Sequence, residues 1–215
     1  MWSDISKQWQ TTFEEAWKAF CEGSTPIGAA LFDENGEFVL KDHNRAQLPK
    51  TVNRRIAHAE ANLLRRLDTA RFDPKKLTLY TTMEPCPMCM GTASVSNIKH
   101  LRSAAHDPHC GMIHLIEIEP YYIGKTLDYT FECGDRELVQ LTVQSYYELR
   151  CMECGSSGYM FDSFREQCPE SSDIAKRLYE DKVLDRFVKD GVAFGEIYDY
   201  ILSMKKCIFS DFDLS

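Results

Sequence analysis

The run Leu77-Thr78-Leu79-Tyr80-Thr81-Thr82-Met83-Glu84-Pro85-Cys86-Pro87-Met88-Cys89, read together with His58-Ala59-Glu60 upstream, decides the fold of this chain. Leu77 to Thr82 is rich in β-branched and aromatic residues and reads as a strand. It feeds straight into two cysteines. Cys86 to Ile98 reads as a helix with Pro87 at a tolerated first-turn position. A Cys-x-x-Cys pair at a helix start puts both sulfurs at one end, about one turn apart. Arg54 to Asp68 reads as a second helix, with Ile56, Ala57, Leu63, Leu64 and Leu67 on one stripe and His58 near its start. A strand therefore delivers the chain to a point where two helix N-termini meet.

One imidazole and two thiols are three good zinc ligands. Structural zinc sites close with four protein ligands, whereas catalytic ones keep a position open for water. The carboxylate of Glu60, two residues from His58, has no use in a structural site, so the set reads as catalytic. On an ideal helix, residues two apart point roughly 200° away from each other. His58 and Glu60 can share a cavity only if the first turn lies against the metal, with the positive end of the helix dipole toward it.

In this order, with both prolines and the wording Thr81 to Gly91, the residues resemble the zinc-dependent cytidine and nucleobase deaminase superfamily, closest to its guanine deaminase and tRNA adenosine deaminase branch. The resemblance runs from Trp9 to Leu115. It implies one catalytic zinc held by His58, Cys86 and Cys89, with Glu60 as the proton shuttle. It also implies that the backbone amides of Ala59 and Cys86 help orient water and substrate. Asn44 stands where the family's substrate-contacting Asn lies; the competing reading is that it closes a turn. Family members pair into homodimers or larger homo-oligomers, and the resemblance implies the same here.

Working outward, Ser3 to Cys21 reads as an amphipathic helix with Trp9, Phe13, Trp17 and Phe20 on one face, ended by Gly23. Ile27 to Asp33 and Phe38 to Lys41 read as a hairpin across Asn35-Gly36. Lys99 to Ala105 reads as a strand, followed by the loop His106-Asp107-Pro108-His109-Cys110-Gly111. Loops at strand ends near a metal hold substrate contacts, which makes Asp107 and His109 candidates to line the pocket. A second metal in that loop is disfavoured, because close neighbours in a turn cannot all converge on one ion. The alternation of helices with short apolar runs predicts an α/β three-layer sandwich: a central mixed β-sheet flanked by helices, like cytidine deaminase.

Beyond Leu115 the pattern weakens. Ile118 to Lys125 reads as loop or edge strand, Thr126 to Cys133 as a short strand, and Glu137 to Leu149 as a helix. Ser156-Ser157-Gly158 is a break, and Ser172 to Met204 reads as two helices on either side of Gly191. Residues 1–150 are expected to form the zinc-dependent domain and 151–215 a helical C-terminal extension. Cys151-Met152-Glu153-Cys154 is a second Cys-x-x-Cys, but a zinc ribbon needs two such pairs. Buried free cysteines are the better reading.

Composition bounds the class. At 44% apolar and 27% charged the chain is an ordinary globular sequence, and no run approaches the roughly 18 apolar residues of a membrane span. The polar first ten residues carry no secretory pattern, and nine cysteines, an odd number, fit a reducing cytoplasm. A net charge of −8, with thirteen acidic against eight basic residues from Cys151 onward, argues against a polynucleotide substrate. The leading expectation is thus a hydrolytic deaminase of a small nucleobase or nucleoside, a guanine-like purine first. A tRNA adenosine deaminase, a cytosine or cytidine deaminase and a zinc-bound scaffold are the alternatives.

Overall fold

The structure, a computed structural model, describes residues 1–210, with side chains through Lys205. It divides into two compact units, Lys7–Cys133 and the combination of Met1–Ser6 with Gly134–Ser215. In chain order the first unit holds α1 (Lys7–Cys21), β1 (Gly28–Phe32), β2 (Phe38–His43), α2 (Ala59–Leu64), β3 (Thr78–Thr81), α3 (Pro87–Val95), β4 (His100–Ser103), α4 (Leu115–Ile118), α5 (Pro120–Lys125) and β5 (Asp128–Phe131). Single 3-10 turns lie at Arg54–Ile56 and Pro74–Lys76.

Helix α1 buries Trp9, Phe13, Ala16, Trp17 and Phe20. It stops because Gly23 takes a positive φ of 81°, letting its N–H reach Phe20 O and that of Ser24 reach Ala19 O. Asp33 Oδ1 accepts from the amides of Asn35 and Glu37, closing the expected hairpin.

The sheet order is β2-β1-β3-β4-β5. Strand β1 is antiparallel to β2 and β3, and β3, β4 and β5 are parallel. Side chains alternate between the two faces. Gly28 faces α1 so closely that a Cβ there would lie 2.2 Å from Thr12 O, which leaves room for glycine alone. On the other face Ala29, Leu31, Leu79 and Leu101 pack with Ala59, Leu63, Met90 and Ala93 of α2 and α3. Each large apolar side chain buried there stabilises the fold by about 1.5–3 kcal/mol. The sheet with α1 on one face and α2 and α3 on the other is the expected three-layer sandwich. Its register sets the C-terminal ends of β3 and β4 beside Gly28 and His43, and this rim carries the site.

Several local expectations are corrected. The first helix begins at Lys7, and Trp2–Asp4 is a separate 3-10 turn. The helix expected from Arg54 to Asp68 shrinks to the six residues of α2, because His58 sits in extended backbone as its N-cap. Ile118 to Lys125 is helical; Pro120 starts α5 at its first position rather than marking a loop.

Among the described residues the second unit holds helices and no strand: α6 (Asp135–Glu153), α7 (Tyr159–Gln167), α8 (Pro169–Glu180), α9 (Val183–Asp190) and α10 (Phe194–Ser210). The expected two final helices are thus α8, α9 and α10, and α7 was not foreseen. The boundary expected at residue 150 falls inside α6; the compact unit begins at Gly134, whose φ of 76° breaks the chain before that helix. Helix α6 packs on α7, α8 and α10. Tyr146 meets Tyr179 edge-on at 5.1 Å, and Arg150 pairs with Asp185 at 3.0 Å. The first residues complete this unit: Trp2 packs on Phe194 and Tyr198 and donates its backbone N–H to Asp199 Oδ1 at 2.6 Å. Cys154 is exposed and Cys151 half-buried, so the expectation of buried thiols fails there. Neither joins a three-ligand group among the described residues, and among those residues no helix is long and apolar enough to cross a membrane.

Candidate active site

Two helix starts and one strand end build the site. His58 is the N-cap of α2 (φ −76°, ψ 155°) and Cys86 the N-cap of α3 (φ −69°, ψ 171°). Neither side chain caps its helix, so both are free to turn toward each other. Cys89 follows within the first turn of α3. His58 Nδ1 lies 3.5 Å from Cys86 Sγ and 3.7 Å from Cys89 Sγ, and the three donor atoms all fall within 4.8 Å of one another. A tetrahedral zinc with ordinary Zn–N and Zn–S lengths sets nitrogen and sulfur about 3.6 Å apart. These residues fit one zinc.

The electrostatics agree. Hydrogen bonds from Cys89 and His58 outweigh burial and bring the Cys86 thiol down to about 4. Cys86 pushes the Cys89 thiol far up, because one proton serves two neighbouring sulfurs. The hydrogen bond to Cys86 raises His58 against the effect of burial. A metal ligated here replaces these protons, as zinc does when it binds thiolates.

Glu60 is 3% exposed and lies in the first turn of α2. The extended backbone at His58 removes the 200° conflict of an ideal helix, so histidine and glutamate reach the same point. Glu60 Oε2 lies 3.3 Å from Cys89 Sγ, and Oε1 accepts from Thr81 Oγ1 at 3.1 Å. Burial pushes this carboxyl above the ordinary glutamate range. Ala59, between His58 and Glu60 in the chain, is fully buried.

Of the other candidates, Asn44 is buried and its Oδ1 accepts from Ala46 N at 2.8 Å and Ser24 Oγ at 3.1 Å. That is the turn-closing role, and it leaves Nδ2 donating to no group among the described residues. Asp107 carries a charge felt at His58, and its Oδ1 accepts the amides of His109 and Cys110. His109 itself is exposed. Thr81 was missed at the sequence level. The signal was a polar residue in step with Leu79 on the inward face of β3.

A family model described as the cytidine and deoxycytidylate deaminase zinc-binding region matches residues 3–104. A tRNA-specific adenosine deaminase of Bacillus subtilis is 41% identical over 102 residues, covering 46% of this chain and 60% of the relative. The tRNA-specific adenosine deaminase of Aquifex aeolicus is 34% identical over 114 residues, covering 51% of this chain and 72% of that one. The solved guanine deaminase of Bacillus subtilis is 25% identical, covers 48% of this chain and 66% of its own, and has a TM-score of 0.40. The chain spans less than two thirds of the length of the first of these relatives.

Proposed function

The chain belongs to the zinc-dependent cytidine and nucleobase deaminase superfamily, and from that premise we propose that it is a hydrolytic deaminase acting on an adenine held in a folded RNA of the tRNA kind. The observation that carries the chemistry is the His58, Cys86 and Cys89 triangle with the buried carboxylate of Glu60 beside it. A zinc held by His58, Cys86 and Cys89 would supply the Lewis acidity that makes water a nucleophile near neutral pH, for attack on the ring carbon that bears the amine. Glu60, beside the metal ligands, takes one proton of the attacking water and gives it to the ring nitrogen, then carries the second, from the oxygen that becomes the carbonyl, to the departing amine. A desolvated carboxyl suits both tasks, since it holds a proton more readily than a solvated one. Thr81 Oγ1 fixes one oxygen of Glu60 and leaves the other toward the ligands. In this reading Asn44 Nδ2 would donate to a ring nitrogen of the base, and Asp107 and His109 would lie along its approach. Water is consumed, ammonia is released, and the amine becomes a carbonyl.

The RNA reading rests on the relatives and on where the charge lies. Residues 7–133 carry 15 Lys and Arg against 16 Asp and Glu, a net −1, while the helical unit carries 10 against 17, a net −7. The whole-chain argument against nucleic acid therefore loses its force at the site. Between Asn44 and Ala59 the sequence has Arg45, Lys50, Arg54 and Arg55 and no acid; Lys50, Arg54 and Arg55 are exposed. Exposed cations in the segment leading into His58 could neutralise phosphates of such a substrate. A free purine, guanine first, is the second reading, favoured by the chain's net −8.

Competing substrates decide between them. An adenosine-bearing anticodon stem-loop is expected to be turned over with a kcat/KM at least about 100-fold above that of free adenosine, guanine or cytosine, falling steeply with salt. Replacing Lys50, Arg54 and Arg55 together by Gln should raise KM for the stem-loop and flatten the salt dependence. Turnover of guanine with none of the stem-loop would overturn the RNA assignment.

A further inference from the structure

The segment that carries Cys86 also holds the loop that follows β4. Glu84 is 8% exposed, and its two oxygens face backbone amides rather than solvent. Oε1 accepts from Ile113 N at 3.0 Å and Oε2 from Asp107 N at 3.2 Å. The two amides are six residues apart and bracket the loop. At its middle Gly111 approaches so closely that a Cβ would lie 2.3 Å from the Glu84 carboxyl carbon and 2.6 Å from Asp107 O. The backbone adds two ties: Glu84 N donates to Ala105 O at 2.8 Å, and Met112 N to Pro85 O at 3.3 Å.

We propose that Glu84 is a positioning residue, whose carboxylate clamps the loop Asp107–Ile113 to the segment bearing the metal ligand Cys86 and so fixes the distance between the metal and the substrate-side loop. The physical reason is the strength of the bonds. A hydrogen bond to a charged acceptor contributes more than a neutral one, and a buried amide left without its partner is costly. Two such bonds from one side chain hold both ends of a seven-residue loop that its own secondary structure does not hold. Within the loop, Asp107 Oδ1 closes a turn over His109 and Cys110, and Asp107 Oδ2 accepts from the Cys110 thiol at 3.0 Å. The clamp therefore sets the position of a preformed turn. Glu84 touches neither substrate nor metal in this scheme; it acts through Asp107 and the backbone. The loop's contact with substrate rests on the deaminase reading above, whereas the clamp itself does not.

Amide hydrogen exchange on the zinc-loaded full chain tests it. In the unaltered protein the amides of Asp107 and Ile113 should be protected. Glu84→Gln keeps the size but turns one acceptor into a donor. It should speed exchange at one or both of these amides by at least about tenfold, leave the β4 amides unchanged, and retain one zinc per chain. On a substrate the parent enzyme turns over, the same variant should raise KM about tenfold with a smaller change in kcat, and Glu84→Asp, which keeps the charge, should recover part of the loss. Unprotected Asp107 and Ile113 amides in the unaltered protein, or unchanged exchange in Glu84→Gln, would overturn the clamp. Exchange that responds as expected in a protein that turns over no amine would keep the clamp and remove the deaminase reading instead.

Discussion

Thr81 Oγ1 lies 3.1 Å from both Glu60 Oε1 and Met83 O, and a hydroxyl has one proton for two acceptors. It can donate to an ionised Glu60, or accept from a protonated one while donating to Met83. Thr81→Val keeps the β-branched shape that suits β3 and removes this hydroxyl. It should lower kcat about tenfold with zinc content unchanged, and Thr81→Ser should restore most of the rate; equal rates for all three would deny Thr81 any role. The metal ligands themselves make a second prediction. Because His58, Cys86 and Cys89 share protons in the absence of metal, zinc binding should release protons and weaken as pH falls. Calorimetry in buffers of different ionisation enthalpy reads that release, and a binding heat independent of buffer would contradict it.

Helix α1 meets β2 through a buried cluster of charge. Glu15 accepts from His43 Nδ1 at 2.9 Å and pairs with Lys41 Nζ at 3.2 Å, while His43 Nε2 faces Glu22 at 3.0 Å. Burial alone would raise Glu15, but the bonds from His43 and Lys41 outweigh it and hold the carboxyl at about 2, below its ordinary 4.5. A depressed acid stabilises the fold fully above pH 4.5, and that contribution is lost as pH falls through about 2. Glu15→Gln should therefore cost up to about 3 kcal/mol near neutrality and progressively less below pH 4.5. Denaturant titrations from pH 6 to pH 2 measure this, and a cost that does not vary with pH would refute it. Asn35-Gly36 predicted the hairpin because a positive φ is a local demand, met here by Gly36 at 78°. The aromatic stripe predicted α1 because its period is local too. The helix read from Arg54 to Asp68 failed because Ile56 and Ala57 continue an apolar stripe in the sequence, while the metal site needs extended backbone at His58. Ile118 to Lys125 was read as loop or edge strand, whereas Pro120 opens a helix there. Thr81 and Glu84 were invisible as site residues because their partners, Glu60 and the amides of Asp107 and Ile113, lie 21 to 29 residues away.

Across the whole chain, the unit that carries the site and the helical unit differ in charge and in construction. The helical unit is discontinuous: Met1–Ser6 belongs to it, although 127 residues of the other unit intervene. Nothing near Trp2 in sequence announces this, since its partners Phe194, Tyr198 and Asp199 are almost two hundred residues on. Gly195 leaves the space the indole needs, a Cβ there falling 2.6 Å from the ring. Trp2→Ala should destabilise the helical unit by about 2 kcal/mol while the protein still binds one zinc. Unchanged denaturation would show that the segment is a passenger.

In the proposed reaction Glu60 moves protons beside a zinc held by His58, Cys86 and Cys89. The most direct measurement is ammonia release by the zinc-loaded protein and by its Glu60→Ala variant. Both would be given the adenosine-bearing stem-loop together with free adenosine, guanine and cytosine. The parent should release ammonia, the variant should lose at least about a thousandfold in rate, and both should hold one zinc per chain. Full turnover by Glu60→Ala would contradict it.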